Sequence, residues 1–199
     1  MRLPKITRYM VIALMGLFLL GQFVDLSFFV LKKIGLGFNP VQMFTYAFLQ
    51  YDFMQLLFNV LAIWIFGYQI EEYWGTKRFS IFVVVTILAT AIAHLLLGSL
   101  FTVGISGLVF ALLLAYGMMW PERKIYLLLP PIPVKAKYLV MIYAGIMFLS
   151  ILSSGGSFSS RLAYLAGPLS AYLLIQYWRG KPPFNSNKKN SKAKIYRYK

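Results

Sequence analysis

The stretch Phe101-Thr102-Val103-Gly104-Ile105-Ser106-Gly107-Leu108-Val109-Phe110-Ala111-Leu112-Leu113-Leu114 decides how the chain is read. Its two glycines and a serine interrupt a run otherwise apolar enough for a membrane interior. The apolar segment after this notch ends at Trp120-Pro121. From Ser106 to Trp120 there are 15 residues, about 22 Å of helix at ~1.5 Å per residue. A hydrocarbon core is ~30 Å thick and takes ~20 residues to cross. A helix over 106–120 therefore spans only if its N-terminus begins below the membrane surface. Irregular backbone at that depth is tolerated inside protein or beside a water-filled cavity. A helix N-terminus also presents unpaired N–H groups, a ready place for a developing oxyanion. Ser106 is thus expected to be sunken, at a helix start, beside anion-binding amides. The competing reading is that Ser and Gly here only let helices approach closely.

Composition agrees with a membrane setting. The 199 residues are 60% hydrophobic and 13% charged, against about 25% charged in soluble domains. The apolar residues fall in runs rather than stripes. There is no cysteine, which excludes disulfides, thiolate metal sites and a Cys nucleophile. The single histidine, His94, cannot build a metal site unaided. No metal and no organic cofactor is expected.

The runs divide the chain into six expected spans, an all-α integral membrane bundle with a short fourth helix starting at the buried serine. The first covers 9–31, too long for a signal-peptide core and without a small-residue cleavage site. Residues 32–51 mix turn formers (Gly35, Gly37, Asn39-Pro40) with Met43, Phe44, Tyr46, Phe48 and Leu49, as expected of a loop in or dipping into the interface. The second span is 53–66, followed by a polar segment with Gly67, Glu71 and Gly75. The third is 79–100 and contains His94. The fourth is 106–120, then a connector with Pro130, Pro131 and Pro133. The fifth is 136–152, a Ser/Gly loop covers 153–160, and the sixth is 161–178. The membrane domain is expected over 1–179. Residues 180–199 form a basic tail expected to be disordered.

Six spans place both termini on one side. Of the 20 Lys and Arg, all but Lys32, Lys33 and Arg161 then lie on that side. By the positive-inside rule the termini are expected to be cytoplasmic, and the chain multi-pass. Trp74, Trp120 and Trp178, each near basic residues, suit anchors at the same interface. The basic tail is expected to attract anionic lipid rather than nucleic acid.

Several features line up in order: Asn59 in the second span; Gly67, Glu71 and Gly75; the Gly104-Ile105-Ser106-Gly107 notch; and Ala163-Tyr164-Leu165-Ala166-Gly167 in the sixth span. Together, over about residues 38–178, they resemble the rhomboid family of intramembrane serine proteases. The resemblance implies that Ser106 is the nucleophile position. It implies that Asn59, with the residue four before it and backbone of the Gly104 loop, would hold an oxyanion. The base, a His in Ala-His-x-x-Gly, falls at Tyr164. The second-span His position holds Gln55, and a further His of the preceding loop is replaced by Gln50. Gly67 and Gly75 otherwise read as helix-ending or close-approach glycines, and Glu71 as a cap or bridge.

These departures change the chemistry. Serine is a poor nucleophile without an adjacent base. Imidazole serves because its pKa is near neutral. An ordinary phenol, with a pKa of ~10, is protonated at neutral pH and donates rather than accepts. Gln55 is a milder change, since its amide still donates. His94 is not expected to replace the lost base. Leu95, Leu96 and Leu97 surround it, and its helix would have to turn it toward the fourth. The expected protein is a rhomboid-like member with an impaired site that binds transmembrane helices of other membrane proteins. The alternative is an active intramembrane serine endopeptidase with an unusual base. A small-solute carrier or channel using Asp25, His94 and Arg161 is a third reading.

Overall fold

The computed structural model describes residues 4–97, 100–126, 133–136, 138, 141, 142, 145 and 162–179. Its helices are α1 Lys5–Leu20, α2 Gln42–Thr45, α3 Phe53–Ala62, α4 Tyr68–Trp74, α5 Thr76–Leu96, α6 Ser106–Met119 and α7 Ala166–Trp178. Two short antiparallel pairs join loops: β1 Leu31–Lys32 with β2 Phe101–Thr102, and β3 Lys124–Tyr126 with β4 Pro133–Lys135. The expected fifth span, 136–152, lies largely outside the described residues. So do the start of the Pro-rich connector, the loop 153–160, Arg161 and the tail 180–199.

Several span boundaries differ from the sequence expectation, two of them for a plain local reason. α1 begins in the basic segment and stops at Leu20, well short of residue 31. Beyond it the Asp25 carboxylate accepts from the Ser27 amide at 2.8 Å and the Ser27 hydroxyl at 2.9 Å. Such a local side-chain turn competes with helix. The second helix does not end at residue 66. α3 and α4 form one rod, Phe53–Trp74, carrying a single π-turn at Ile63–Gly67. Gly67 thus lies inside a helix rather than at its end. A Cβ there would stand 3.5 Å from Phe79 and from the Thr7 hydroxyl. The stop is Gly75, whose φ of +78° suits glycine and few other residues. α5 starts immediately after it.

Phe53–Trp74 and Thr76–Leu96, at 22 and 21 residues, are long and apolar enough to cross a membrane. α6 is apolar but shorter. α7 packs most extensively on α6 and next on α5. Phe79, Phe82, Ile87 and Ala91 of α5 meet Leu108, Ala111 and Leu112 of α6 and Ala171 and Ile175 of α7 in one buried core. The opposite faces stay apolar: Ile12, Phe58, Ile92 and Leu169 are exposed. An apolar exterior around an apolar core suits lipid rather than water.

One buried carboxylate ties the ends of three helices. Glu71, at 2% exposure, accepts from the Ile6 amide at 3.0 Å and from the Thr7 amide and hydroxyl at 2.8 Å each. It also accepts from the Thr76 hydroxyl at 3.2 Å. It therefore caps the N-terminus of α1, which has no side-chain cap of its own, and pins the start of α5. Losing it strands buried donors, at about 1–3 kcal/mol for such a group, besides a helix cap of about 1 kcal/mol. Glu71→Ala is expected to lower the melting temperature in detergent by many degrees. Glu71→Gln, which keeps one acceptor oxygen, is expected to fall between it and the parent.

Candidate functional site

Ser106 is the first residue of α6. The helical ladder begins with Leu108 and Val109 donating to the Ile105 carbonyl at 3.0 and 3.1 Å. The amides of Ser106 and Gly107 precede it, at the positive end of the helix dipole.

The loop before Ser106 is held at every step. Its Gly104 has φ +107°, and its amide donates to the Tyr46 carbonyl at 2.9 Å. The β1–β2 pairing sets Leu31 opposite Thr102 and Lys32 opposite Phe101. The segment that supplies β1 is itself organised by Gln42, which is almost fully buried. Gln42 Oε1 accepts from the Lys32 and Asn39 amides at 3.2 Å each. Its Nε2 donates to the Phe28 carbonyl at 2.9 Å and to the Gly37 carbonyl at 3.3 Å. The Tyr46 hydroxyl, also buried, donates to the Ile87 carbonyl of α5 at 3.0 Å.

α3 brings amides to the same loop. Asp52 caps α3 by accepting from the Gln55 amide at 3.1 Å. The Gln55 side-chain Nε2 lies 3.0 Å from where a Cβ on Gly104 would be. One turn on, Asn59 is 5% exposed, and its Nδ2 donates to Gln50 Oε1 at 2.8 Å. Gln50 Oε1 in turn lies 3.9 Å from that same Cβ position on Gly104. Gln50, Gln55, Asn59 and Gly104 therefore form one cluster. A cavity of about 520 Å³, lined by the C-terminal turn of α1, Gln50, Tyr51 and Val103, borders it at Gln50.

α7 meets α6 backbone to backbone. A Cβ on Gly167 would overlap the Gly107 carbonyl, and a Cβ on Gly107 would lie 2.6 Å from the Thr90 hydroxyl of α5. Three helices thus converge on the residue after Ser106. Tyr164 lies one turn before Gly167, in the 3-10 turn Ala163–Leu165 that leads into α7. Its ring stands edge-on to His94, with centroids 4.7 Å apart and planes at 82°. His94 is 2% exposed, and its Nδ1 is 3.3 Å from the Thr102 hydroxyl in β2.

The residues singled out from sequence therefore fall in two groups around the start of α6. Gln55, Asn59 and Gly104 are together on the α3 side. Tyr164 is on the α7 side. The sequence left the direction of His94 open. α5 turns it inward, toward Tyr164 and the serine loop, while Leu96 takes the exposed face. Sequence reasoning missed Gln42, Tyr46, Thr90 and Thr102. Thr90 had a faint signal, because it is four residues before His94 and so shares its helix face. Gln42 and Tyr46 had none.

The family model described as Rhomboid domain matches residues 37–180. No curated protein matches the chain. With two helices of membrane-crossing length, the chain is an integral membrane protein.

The glycine contact generates a stability prediction. Overpacking a tight contact costs about 1–3 kcal/mol, occasionally more, and here the obstacle is backbone that cannot swing aside. Gly167→Ala is expected to lower thermal stability by at least that amount. Gly16→Ala on α1, which meets open space, is expected to leave the melting temperature unchanged or raise it slightly. Equal melting of both variants would mean that α6 and α7 do not meet at these glycines.

Proposed function

Because the chain belongs to the rhomboid family, we propose that it is a six-span intramembrane protease homologue whose Ser106 site is strongly impaired, and that it binds transmembrane helices of other membrane proteins. The observation that carries this reading is the phenol of Tyr164 at the position of the family's base. The α3 side of the site supports it from the other direction. Gln55 and Asn59 supply amide N–H donors near the Gly104 loop, while a phenol and carboxamides offer no good proton acceptor. Loss of a triad member typically costs on the order of 10⁴ in rate, leaving what binding and the oxyanion donors supply. A site of this kind holds a peptide bond better than it cuts one.

The binding half of the reading is supported by α3. Gln55 and Asn59 point inward, while Phe53, Met54, Leu57 and Phe58 are exposed on the same helix. A client helix lying along that apolar face would be next to the Gly104 cluster. The charge distribution supports cytoplasmic termini, with the basic residues of 180–199 attracted to anionic lipid. An active endopeptidase with an unusual base is the second reading, and the position of His94 is the observation that favours it.

Two measurements test the proposal. Purified protein in proteoliposomes is expected to cleave a generic rhomboid substrate far more slowly than Tyr164→His, by on the order of 100-fold or more, the usual contribution of a positioned base. A variant that cleaves no faster than its parent would oppose impairment at that position. A photo-crosslinking residue at Phe58 is expected to capture a transmembrane peptide, and one at Ile12 of α1 is not. Equal capture at both would leave no docking face on α3.

A further inference from the structure

We propose that a slot between α1 and α5 binds an anionic phospholipid, with one acyl chain inside it and the phosphate at Lys5, Arg8 and Lys77 beside its mouth. The site is separate from the serine loop and does not depend on how Ser106 is read. The slot is a cavity of about 300 Å³. Met10 and Ala13 of α1, Val83 and Val84 of α5, and Phe44 and Phe48 line it. Tyr9, Phe44 and Val84 are also exposed, so the slot opens outward. The rings of Phe44 and Phe48 stand 5.8 Å apart. Their segment docks on α5 at Ile87, through the Tyr46 hydroxyl, one turn beyond Val83. The two rings therefore lie at the end of the slot away from the helix starts. Ile6 and Tyr9 of α1 and Ser80 of α5 line the other end. Glu71 holds Ile6, Thr7 and Thr76 together, so both helices start at one level.

Size selects the occupant. One turn of a helix ~10 Å across and ~5.4 Å tall takes about 420 Å³, more than the slot holds. A client helix is excluded, and a single hydrocarbon chain fits. Charge at the mouth selects the headgroup. Lys5 lies one turn before Tyr9, and Lys77 one turn before Ser80, so each cation shares its helix face with the slot. Helical side chains lean toward the N-terminus of their helix, which carries both ammonium groups out to the headgroup level. The Arg8 guanidinium lies 5.2 Å from the centre of the Tyr9 ring. All three cations are exposed, and none has an ion pair among the described residues. The nearest carboxylate in the chain, Glu71, is buried and occupied by α1 and Thr76. Glu72 is exposed and pairs with none of them. A zwitterionic headgroup leaves this positive charge unbalanced, whereas an anionic one balances it.

The test is native mass spectrometry of the full-length protein in detergent, titrated with phosphatidylglycerol or with phosphatidylcholine of the same chains. One tightly held phosphatidylglycerol is expected, bound about 10-fold or more tighter than phosphatidylcholine. Lys5→Gln combined with Lys77→Gln is expected to remove that preference. Ala13→Phe, which puts a ring into the slot, is expected to weaken binding of both lipids. Lys188→Gln combined with Lys189→Gln, in the basic tail, is expected to change neither. Soluble glycerophosphoglycerol, the headgroup without chains, is expected not to compete. A preference that survives loss of Lys5 and Lys77 would overturn the proposal, as would lipid binding unchanged by Ala13→Phe. Competition by the chainless headgroup, or loss of the preference in the tail variant, would overturn it too. Lys5 and Lys77 are exposed, so their variant decides the question even where Ala13→Phe fails to fold.

Discussion

The contact between Gly107 and Gly167 sets the geometry on which the rest of the structure depends. Within hydrocarbon there is no hydrophobic force to press helices together, since lipid tails are as apolar as Leu. Association relies on close packing, and close packing relies on removing side chains. At Gly107 the missing Cβ admits Thr90 of α5, and at Gly167 it admits the carbonyl of Gly107 itself. α5, α6 and α7 meet at one level as a result. That level is fixed one residue after Ser106 and one turn after Tyr164. Ser106 and Tyr164 each lie within a turn of the point where two glycines let α6 and α7 touch.

A second constraint acts on the loop that delivers the serine. Buried non-helical backbone must satisfy its polar groups within the protein. The chain does this with borrowed partners. The Gly104 amide finds the Tyr46 carbonyl, β2 finds β1, and the segment carrying β1 closes on the Gln42 carboxamide. Both donors and acceptors of Gln42 are used, which explains how such a polar side chain is buried in an apolar neighbourhood. The positive φ of Gly104 belongs to the same device. It turns the chain so that Gln55 can stand where a side chain on residue 104 would otherwise be.

How much of this could be read beforehand depends on whether the signal is local. The serine notch was legible because two glycines and a serine break an apolar run, and the family resemblance followed from the order of Asn59, Gly75, Ser106 and Gly167. The ends of helices were less so. The apolar run continues past Leu20, and only the Asp25–Ser27 turn, weak in sequence, says that α1 has stopped. Gly67 reads from the sequence as a helix-ending or close-approach glycine, and its place within a π-turn supports the second. The orientation of His94 was the hardest to see. α5 is apolar on all sides, so no stripe distinguishes its inward face, and only tertiary packing through Thr90 decides which way the imidazole points.

That orientation bears on the chemistry of the whole site. Asn59 gives one side-chain N–H to Gln50 and Gln50 gives one to the Ala47 carbonyl, while the Gln55 amide stands against Gly104. Their carbonyl oxygens are too weakly basic to hold a proton at neutral pH. Tyr164 carries a proton of its own there. The imidazole of His94 is buried beside Tyr164, with the Thr102 hydroxyl at its Nδ1. A membrane interior makes the placement consequential, because an ionisable side chain at that depth is costly unless it is held by partners. Thr102 and the edge of Tyr164 hold this one. The Tyr164 ring thus packs the imidazole of His94 beside the strand that leads into the serine loop.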